Sequence, residues 1–451
     1  MGDFLRILGV ILIAAATLWP VYWFAGLAGQ HDAGALFSQY LGSASLILMG
    51  INQFLATRIK GLETLFGSLD RIYVLHKWIA VIAIAALGLH DIIDAEMDGI
   101  RGGALSGIAE DIGEVSLYGL LILGFASVIT FIPYHLWKWT HRFIGVFFAM
   151  GAFHFFFIEK PFQNAEPLGL YVSAFCLLGL ASYLYMILLR PMLPVGHAYV
   201  VKAIRHVGTV TEITLTPKGR GMRHKAGQFA FLQLAQSGLG EEHPFTLSSA
   251  PAKDGSLRFS IKDLGDFTRR LGQNLDEGGE ATVTGPFGHF TLPSGRDPQV
   301  WVGAGIGVTP FIAFAESLKT RETGPVTLYY CVREASDAFF AEELRQLAAD
   351  VPAFELVLLS SANGERLTPD IIAAKAAADL GRTHVYFCGP KAMRLALRTE
   401  LISKGLRGSR FHFEEFEMRS GIGLRKLANW LLDRGLSELA RRREQRTQPG
   451  E

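Results

Sequence analysis

The 451-residue sequence has few cysteines and almost no net charge, and both shortages exclude classes of function. Its three cysteines, Cys176, Cys331 and Cys388, are scattered, so they form neither a disulfide framework nor a CxxC metal knuckle. A net charge of +1 lacks the excess of positive charge that is typical of nucleic-acid-binding proteins. The first apolar run, residues 4–27, lacks a clear cleavage site and is too long for a signal-peptide core, so we expect a retained membrane span.

Hydrophobic residues make up 50% of the chain but are unevenly distributed. The long apolar runs concentrate in residues 1–190, whereas residues 195–417 have the composition of a soluble protein. Six runs are each long enough to cross a bilayer core of roughly 30 Å. They fall at 4–27, 36–57, 73–93, 114–133, 139–158 and 168–189. The sequence therefore predicts a multidomain protein with a six-helix transmembrane bundle followed by a soluble module.

The loops between the apolar runs alternate in charge. The 58–72 loop is net positive, whereas the loop from 94 to 114 is strongly acidic. Because positively charged loops stay on the cytoplasmic side, we expect the 58–72 and 134–140 loops, and everything after residue 190, to be cytoplasmic. This predicts a multi-pass protein of the inner (cytoplasmic) membrane of the cell, with its soluble module in the cytoplasm.

Four histidines lie in two of the apolar runs at nearly equal spacing. His76 and His90 are 14 residues apart, and His141 and His154 are 13 residues apart. At about 1.5 Å per residue, each pair would span roughly 20 Å along a helix axis. Ionisable groups inside a membrane are costly and usually functional. Two such helices side by side would offer two His–His pairs, as two hexacoordinate haems stacked across a bilayer require.

The second spacing raises a geometric difficulty. In a straight helix, a side chain 14 positions further along points within about 40° of the first one, whereas a side chain 13 positions further along points about 140° away from it. Local overwinding would reconcile the two spacings, and so would ligation from different flanks of the second helix.

Residues 198–290 alternate between short strand patterns and turn residues, which predicts a small β-barrel. It contains the motif HPFTLSSAP at 243–251, then KDLGDFT at 262–268 and GPFG at 285–288. An aromatic residue beside a hydroxyl residue suits a flavin, because the ring can stack and the hydroxyl can bond to a ring or ribityl edge. The glycine and threonine of the second motif could hold a phosphate on backbone amides, or simply cap a helix.

From residue 299 the pattern changes to alternating strands and helices, which predicts a parallel sheet that binds ligands beyond the carboxyl ends of its strands. The first strand leads into GAGIGVTP at 303–310, where glycines would let the backbone approach a pyrophosphate. Its GxGxG spacing is a weak signal alone. Arg333, Ser360, Ser361 and Cys388 lie at predicted strand ends. The alternatives are a surface charge for Arg333 and a small buried residue for Cys388.

In combination these motifs resemble the NADPH oxidase and ferric reductase superfamily of transmembrane flavocytochromes b, over about residues 40–417. The motifs that carry the resemblance are LDR before His76, WTH at 139–141, HPFTLSSAP, VGAGIGVTPF, CGP at 388–390 and EEF at 414–416. The resemblance implies a compact bacterial NADPH oxidase-like protein. Its fold would be a ferric reductase-like bundle joined to a ferredoxin-NADP reductase-like module, with a β-barrel FAD domain and an α/β nucleotide domain.

The resemblance also implies which residues hold the cofactors. The inner haem would be bound by His76 and His141, and the outer haem by His90 and His154. The residues expected to contact FAD are His243, Pro244, Phe245, Thr246, Ser248, Lys262, Gly265, Phe267 and Thr268. Those expected to bind NADPH, or NADH as the alternative, are Gly303, Gly305, Gly307, Thr309, Pro310, Arg333, Ser360, Gly389 and Pro390. Cys388 would border the nicotinamide, and Phe416 would shield the flavin face.

The predicted domains follow from these assignments. They are a transmembrane di-haem domain at 1–192, an FAD-binding domain at 197–295, an NAD(P)H-binding domain at 298–417 and an amphipathic helical extension at 418–451. The extension either packs as an extra helix or binds the membrane surface.

The expected reaction is electron transfer from cytoplasmic NAD(P)H, through FAD and two b-type haems, to an acceptor on the outer face. Oxygen, which would yield superoxide, is the first expected acceptor. A ferric chelate and a periplasmic redox protein are the alternatives. The animal oxidases have a further histidine four residues after the outer ligand, and this chain has Asp94 there, within an acidic loop. That departure argues against oxygen and mildly favours a cationic acceptor.

Overall fold

A computed structural model describes residues 2–59, 61–93, 103–128, 134–193, 195–376 and 380–414. The described chain divides into two compact units. One contains residues 2–66 and 72–191, and the other contains residues 67–71 and 192–414. Phe416 and the predicted extension at 418–451 lie outside the described residues.

The first unit consists of helices. They are α1 Gly2–Leu18, α2 Val21–Leu27, α3 Ala33–Leu55, α4 Leu62–Phe66, α5 Leu69–Ile92, α6 Ser106–Val128, α7 Tyr134–His141, α8 Ile144–Phe157 and α9 Pro167–Leu184. The first few residues of α5 belong to the second unit. Apolar side chains such as Ile82, Ile122 and Leu177 are exposed along these helices, as expected for surfaces that face lipid rather than water.

Within the described residues, four helical segments are long and apolar enough to cross a membrane, where the sequence predicts six. They are Ile7–Leu27, Ala33–Leu55, Leu69–Ile92 and Pro167–Leu189. The prediction of six spans is therefore only partly met. The predicted fifth span is split, because α7 ends at His141 and α8 has only 14 residues. The described part of the predicted fourth span, residues 114–128, lies in α6, which carries the charged residues Glu110, Asp111 and Glu114 in its first half.

Glycines set the closest approaches between helices of the first unit. A Cβ at Gly50 on α3 would overlap the backbone of Phe175 on α9, and one at Gly179 would lie 2.9 Å from the Cα of Gly50. Similarly, Gly119 on α6 faces the ring of Phe147 on α8. Without a strong hydrophobic drive inside a membrane, helices associate through close backbone packing at small residues. These contacts define a packed α3–α9 pair and a packed α6–α8 pair.

The second unit begins with an antiparallel sheet of six strands. They are β1 His197–Val207, β2 Val210–Pro217, β3 Phe229–Leu234, β4 His243–Thr246, β5 Leu257–Lys262 and β6 Glu280–Phe287, with α10 Asp266–Asn274 between the last two. The strand order is β4-β3-β6-β1-β2-β5. A bridge from Leu247 to Phe259 joins the two edges, so the sheet curls into the predicted barrel shape. Its core includes Tyr199, Ile213, Leu232 and Phe259.

The remainder of the second unit is an α/β domain with a five-stranded parallel sheet. Its elements are β7 Gln299–Ala304, α11 Thr309–Leu318, β8 Val326–Val332, α12 Ala341–Asp350, β9 Phe354–Ser360, α13 Pro369–Lys375, β10 His384–Cys388, α14 Lys391–Ser403 and β11 Phe411–Phe413. The order is β11-β10-β7-β8-β9. Trp301, Phe311 and Phe314 are fully buried on one face, and burial of each such side chain contributes roughly 1.5–3 kcal/mol.

This strand order creates a topological switch point. The chain runs from β7 to β8 and β9 on one side, and then returns to β10 on the other side of β7. Ligands of open parallel sheets bind outside the carboxyl ends of the strands at such a point. The predicted glycine motif follows β7 and the predicted CGP motif follows β10, so the fold brings both motifs to that crevice.

Candidate electron-transfer sites

Five small residues shape the crevice at the carboxyl ends of β7 and β10. Gly303 and Cys388 are paired across the two strands. A Cβ at Gly307 would overlap the carbonyl group of Cys388, and a Cβ at Gly389 would lie 2.7 Å from that of Ala304. The two loops therefore touch through backbone atoms, and a larger residue at either glycine would push them apart.

Cys388 lies at this crevice in a buried, acidic setting. Its side chain is 2% exposed, and Glu414, just after β11, is also buried. Burial raises the pKa of the Cys388 thiol well above its usual value, and the charge of Glu414 raises it further. A Cβ at Gly288 of the GPFG motif would overlap Oε1 of the Glu414 carboxyl group. Sequence reasoning named the EEF motif but gave Glu414 no role, and the structure places it beside the predicted nicotinamide position.

The protonation of Cys388 leads to a prediction. Because the thiol holds its proton through neutral pH, Cys388→Ser should slow flavin reduction without changing the shape of its pH profile between about pH 6 and 9. Stopped-flow reduction of the flavin by NADPH across that range would measure it. A limb of the wild-type profile that disappears in the variant would show that the thiol titrates during turnover.

A cavity of about 580 Å³ extends from the crevice along the ends of β7, β8 and β9. Gly305 and Pro390 line it near the crevice, and the side chains of Lys262, Arg333 and Arg366 add positive charge. Gly305 adopts a φ of +57°, a left-handed conformation that suits glycine. Asp337 and Glu365 also line the cavity, so its cations outnumber its acidic residues by three to two. Its position beside the glycine loop and its cations fit a dinucleotide with its phosphates.

Several predicted nucleotide residues have structural rather than lining roles. Ser360 is 2% exposed, and its hydroxyl donates to the carbonyl oxygen of Arg333 at 3.1 Å. Its neighbour Ser361 lines the cavity instead. Thr309 donates to the carbonyl oxygen of Ile306 at 3.1 Å, and Pro310 occupies the first turn of α11. Arg366, which sequence reasoning missed, lines the cavity with Arg333.

Three aromatic rings gather on the barrel at the predicted flavin position. The ring centroids of His243 and Phe267 are 3.9 Å apart, and Phe245 lies 6.3 Å from His243. His243 Nε2 also lies 3.0 Å from Glu241 Oε2. The ring planes lie at 21° to 31° to one another, and His243 and Phe245 are partly buried, whereas Phe267 is only 7% exposed. His243 and Phe245 can therefore present ring faces to a planar ligand. Sequence reasoning placed all three in the flavin set.

Other predicted flavin residues are engaged within the protein. Ser248 is fully buried and bonds to Ser260 Oγ at 2.9 Å, while Thr246 is 7% exposed in β4. The hydroxyl of Thr268 accepts the backbone N–H groups of Leu264 and Gly265 at 2.9 Å, which caps α10. The described contacts thus give Thr268 its capping role. Lys262 lines the cavity, and Pro244 lies in β4 beside the aromatic group.

A buried ionic cluster ties the barrel to the α/β domain. Arg258 on β5 contacts Glu343 on α12 at 2.8 Å and Glu316 on α11 at 2.9 Å, with Glu212 at 3.8 Å. Burial works to lower the pKa of Arg258, but the three carboxylates outweigh it and the pKa rises. Glu316 also accepts the backbone N–H of Ala250, within the HPFTLSSAP motif. The cluster fixes the flavin-side turn against the nucleotide sheet.

In the first unit, the structure brings His76 and His141 together. Their ring centroids are 6.2 Å apart. Two imidazoles that bind one iron at roughly 2 Å through a ring nitrogen would have centroids about 6 Å apart. Within the described residues, no group of three or more histidine, cysteine or acidic side chains is placed to hold a metal ion. The separation of the two rings fits two imidazoles that share one iron.

The turn between α7 and α8 bears on the spacing of His141 and His154. Backbone N–H groups of Arg142, Phe143 and Val146 bond three residues back rather than four. Such 3₁₀ turns advance about 120° per residue instead of about 100°. The extra rotation brings His141 and His154 nearer to the same face but covers only part of the predicted difference of about 140°. The segment thus contains local overwinding, one of the two alternatives.

Comparisons with known proteins agree with this division of the chain. A ferric reductase-like transmembrane component matches residues 41–152, an FAD-binding domain matches 198–291, and an oxidoreductase NAD-binding domain matches 301–399. The chain has the architecture of the NADPH oxidase and ferric reductase type. It carries the FAD- and NAD(P)H-binding domains of an NAD(P)H-dependent oxidoreductase together with a transmembrane domain.

Similar individual proteins include reductase components of oxygenases. The chain is 30% identical over 183 residues to the propane 2-monooxygenase reductase component of Mycolicibacterium goodii, covering 38% of this chain and 52% of that protein. It is 28% identical over 218 residues to the stachydrine N-demethylase reductase subunit of Rhizobium meliloti, covering 46% and 62%. The chain thus spans about half the length of the curated relatives it matches.

Among solved structures, a flavohemoglobin from Malassezia yamatoensis is similar at a TM-score of 0.47 and 17% identity, over 85% of this chain and 96% of that one. The FAD/NAD-binding domain of nitric oxide dioxygenase from Vibrio cholerae reaches a TM-score of 0.44 at 24% identity, over 49% and 98%. Likeness at these TM-scores does not establish a shared fold.

Proposed function

We propose that the protein transfers electrons from NADPH, with NADH as the alternative, across the inner membrane to an acceptor on the outer face. The observation that carries the proposal is the pair of imidazoles of His76 and His141, 6.2 Å apart in a unit with membrane-length helices. When bound, FAD would convert a hydride into single electrons, and two b-type haems would carry these across the membrane.

The residues of the second unit would position the electron donor. The crevice of Gly303, Gly307 and Cys388 would receive the nicotinamide, with Gly389 at its border. The aromatic rings of His243, Phe245 and Phe267 would hold the flavin ring by stacking. Phe416 would cover the flavin face until the nicotinamide displaces it. No side chain need act as a general acid or base, because positioning dominates such chemistry.

The histidines of the first unit would hold two haems, one by His76 with His141 and the other by His90 with His154. On the charge pattern of the loops, the first pair would lie nearer the cytoplasm and the second nearer the outside. The two pairs would then provide one haem-binding site toward each face of the membrane.

We propose oxygen as the acceptor, with superoxide as its product. A ferric chelate is the second candidate, because Glu110, Asp111 and Glu114 form an exposed acidic surface at the start of α6 on the side predicted to be external. The names of the curated relatives favour a third candidate, delivery of electrons to a redox protein on that face.

Assays of the purified chain with NADPH would separate these functions. An oxidase consumes oxygen with NADPH alone and reduces cytochrome c in a manner that superoxide dismutase inhibits. A ferric reductase needs added ferric chelate and also works without oxygen. A delivery module does neither quickly without its partner. Absence of haem from the purified protein would reject the proposed transmembrane pathway.

The two arginines of the cavity lead to a prediction about its preference for NADPH over NADH. Arg333→Ala and Arg366→Ala should each raise the KM for NADPH about tenfold or more, with little effect on NADH, because each would remove a charge-assisted bond to the 2′-phosphate worth roughly 1.5–3 kcal/mol. Steady-state kinetics with both nucleotides would measure the split. Arg345→Ala, on α12 and paired with Glu342, is the matched control. Equal losses with NADPH and NADH would assign the arginines to structure.

A further inference from the structure

In three of the four paired histidines, the same ring nitrogen, Nδ1, lies within hydrogen-bond distance of a group on a neighbouring helix. His90 Nδ1 lies 2.8 Å from Ser38 Oγ on α3, and His141 Nδ1 lies 2.9 Å from Ser127 Oγ on α6. His154 Nδ1 lies 2.8 Å from the carbonyl oxygen of Ala109. In each case the contact uses Nδ1 and leaves Nε2 for another partner.

The other hydrogen bonds of the two serines show which atom donates the proton in the serine–histidine bonds. Ser38 Oγ donates to the carbonyl oxygen of His90 at 2.9 Å, and Ser127 Oγ donates to that of Leu123 at 2.7 Å. A serine hydroxyl has one proton, so in both cases its oxygen accepts the N–H of the histidine. A carbonyl oxygen can only accept, so His154 also carries its proton on Nδ1. All three imidazoles therefore present an unprotonated Nε2.

We infer that Ser38 and Ser127 are positioning residues that fix the tautomer of His90 and His141 and raise the basicity of Nε2 toward haem iron. This inference rests on the proposed function. An outer hydrogen bond to a ligating histidine orients the ring and strengthens its donation to the metal. A more basic ligand stabilises the oxidised iron, so each serine lowers the reduction potential of one haem. The two serines thus set the potentials of the two haems independently.

The packing around His90 supports a fixed ring. A Cβ at Gly42, one turn after Ser38 on α3, would lie 3.2 Å from Nε2 and Cδ2 of His90. The α3 helix therefore holds Nδ1 of this imidazole by a hydroxyl, while glycine at position 42 leaves room beside its Nε2 edge. Ser38 is itself 6% exposed, so water does not compete freely for the bond.

The test uses Ser38→Ala and Ser127→Ala in the full chain, with one matched control on each helix. Ser45 on α3 donates to the carbonyl oxygen of Ala83 at 3.0 Å, and Ser116 on α6 donates to that of Phe147 at 2.7 Å. Replacing these with alanine removes a buried hydroxyl that does not contact a histidine. Ser38→Thr keeps the acceptor and should restore the wild-type value.

The measured quantities are the two haem midpoint potentials, from a redox titration followed by absorption, and the rate of haem transfer to apomyoglobin. We expect Ser38→Ala to raise the potential of the His90–His154 haem alone, and Ser127→Ala that of the His76–His141 haem alone. Haem retention at the affected site should fall about ten- to a hundredfold. Unmoved potentials in both variants, or equal shifts in the Ser45 and Ser116 controls, would overturn the inference. A wild-type chain without haem would instead reject the proposed function.

Discussion

His141→Leu is expected to remove one of two haems from the purified protein and to abolish NADPH-driven reduction of any external acceptor. Leucine has no lone pair for iron, and the partner ring of His76, 6.2 Å away, would be left as a single axial ligand. Haem content per chain, measured as the pyridine haemochrome, should fall to about half of the wild-type value. Reduction of the flavin by NADPH should continue, because the second unit has its own cores.

The control for this variant is His31→Leu, which removes a histidine from the loop before α3. It should keep both haems. His90→Leu should remove the other haem, so that the two variants differ in the spectrum that remains. Full haem content in His141→Leu, with flavin content also unchanged, would contradict the assignment of that ligand.

Gly307→Ala should slow flavin reduction by NADPH by about a hundredfold, because a misplacement of about 1 Å at a reacting centre costs that much. A Cβ at this position would overlap the backbone carbonyl of Cys388, so one of the two loops must move. Both loops border the predicted nicotinamide position. Single-turnover reduction of the flavin in a stopped-flow instrument would give the rate directly.

Gly240→Ala is the matched control, because a Cβ at this exposed barrel position meets no atom within 4 Å. It should leave the rate unchanged. The Gly307→Ala protein should keep its FAD, since the aromatic group of His243, Phe245 and Phe267 lies on the barrel rather than at this crevice. A wild-type rate in Gly307→Ala would show that the crevice is not where the nicotinamide binds.

Much of the second unit could be predicted from the sequence, because its signals are local. The alternating strands at 198–290 and the βαβ pattern from 299 appear as two sheets. Glycines at 303 and 307 mark the switch point, since only residues without a side chain allow the β7 and β10 loops to touch. The structure also places the ring centroids of His76 and His141 6.2 Å apart, although their chain positions are 65 residues apart.

The remaining features of the sites depend on the direction of individual side chains and on contacts between residues far apart in the sequence. At the end of β9, side chains alternate direction, so a shift of one residue places Ser361 rather than Ser360 in the cavity. Arg366 follows in a loop whose course no local pattern specifies. The bond from Ser38 to His90 joins residues 52 positions apart, and an isolated serine in an apolar run carries no signal of its partner.

Length and composition alone also predict longer continuous helices in the membrane unit than the structure contains. The apolar run at 139–158 predicts one continuous helix, yet the chain turns at Arg142 and Phe143 with bonds three residues back. That turn changes the rotation between His141 and His154 from the value that a continuous helix would give. The interruption of the predicted span therefore also changes how the two histidines are oriented relative to each other.

The most direct test of the central claim is an anaerobic titration of the purified full-length protein with NADPH, followed by absorption. The account predicts that one flavin and two six-coordinate b-type haems per chain become reduced. It also predicts that variants of His76 and of His141 lose the same haem signal, and that variants of His90 and of His154 lose the other. Bleaching of the flavin alone, in a protein that contains no haem, would contradict it.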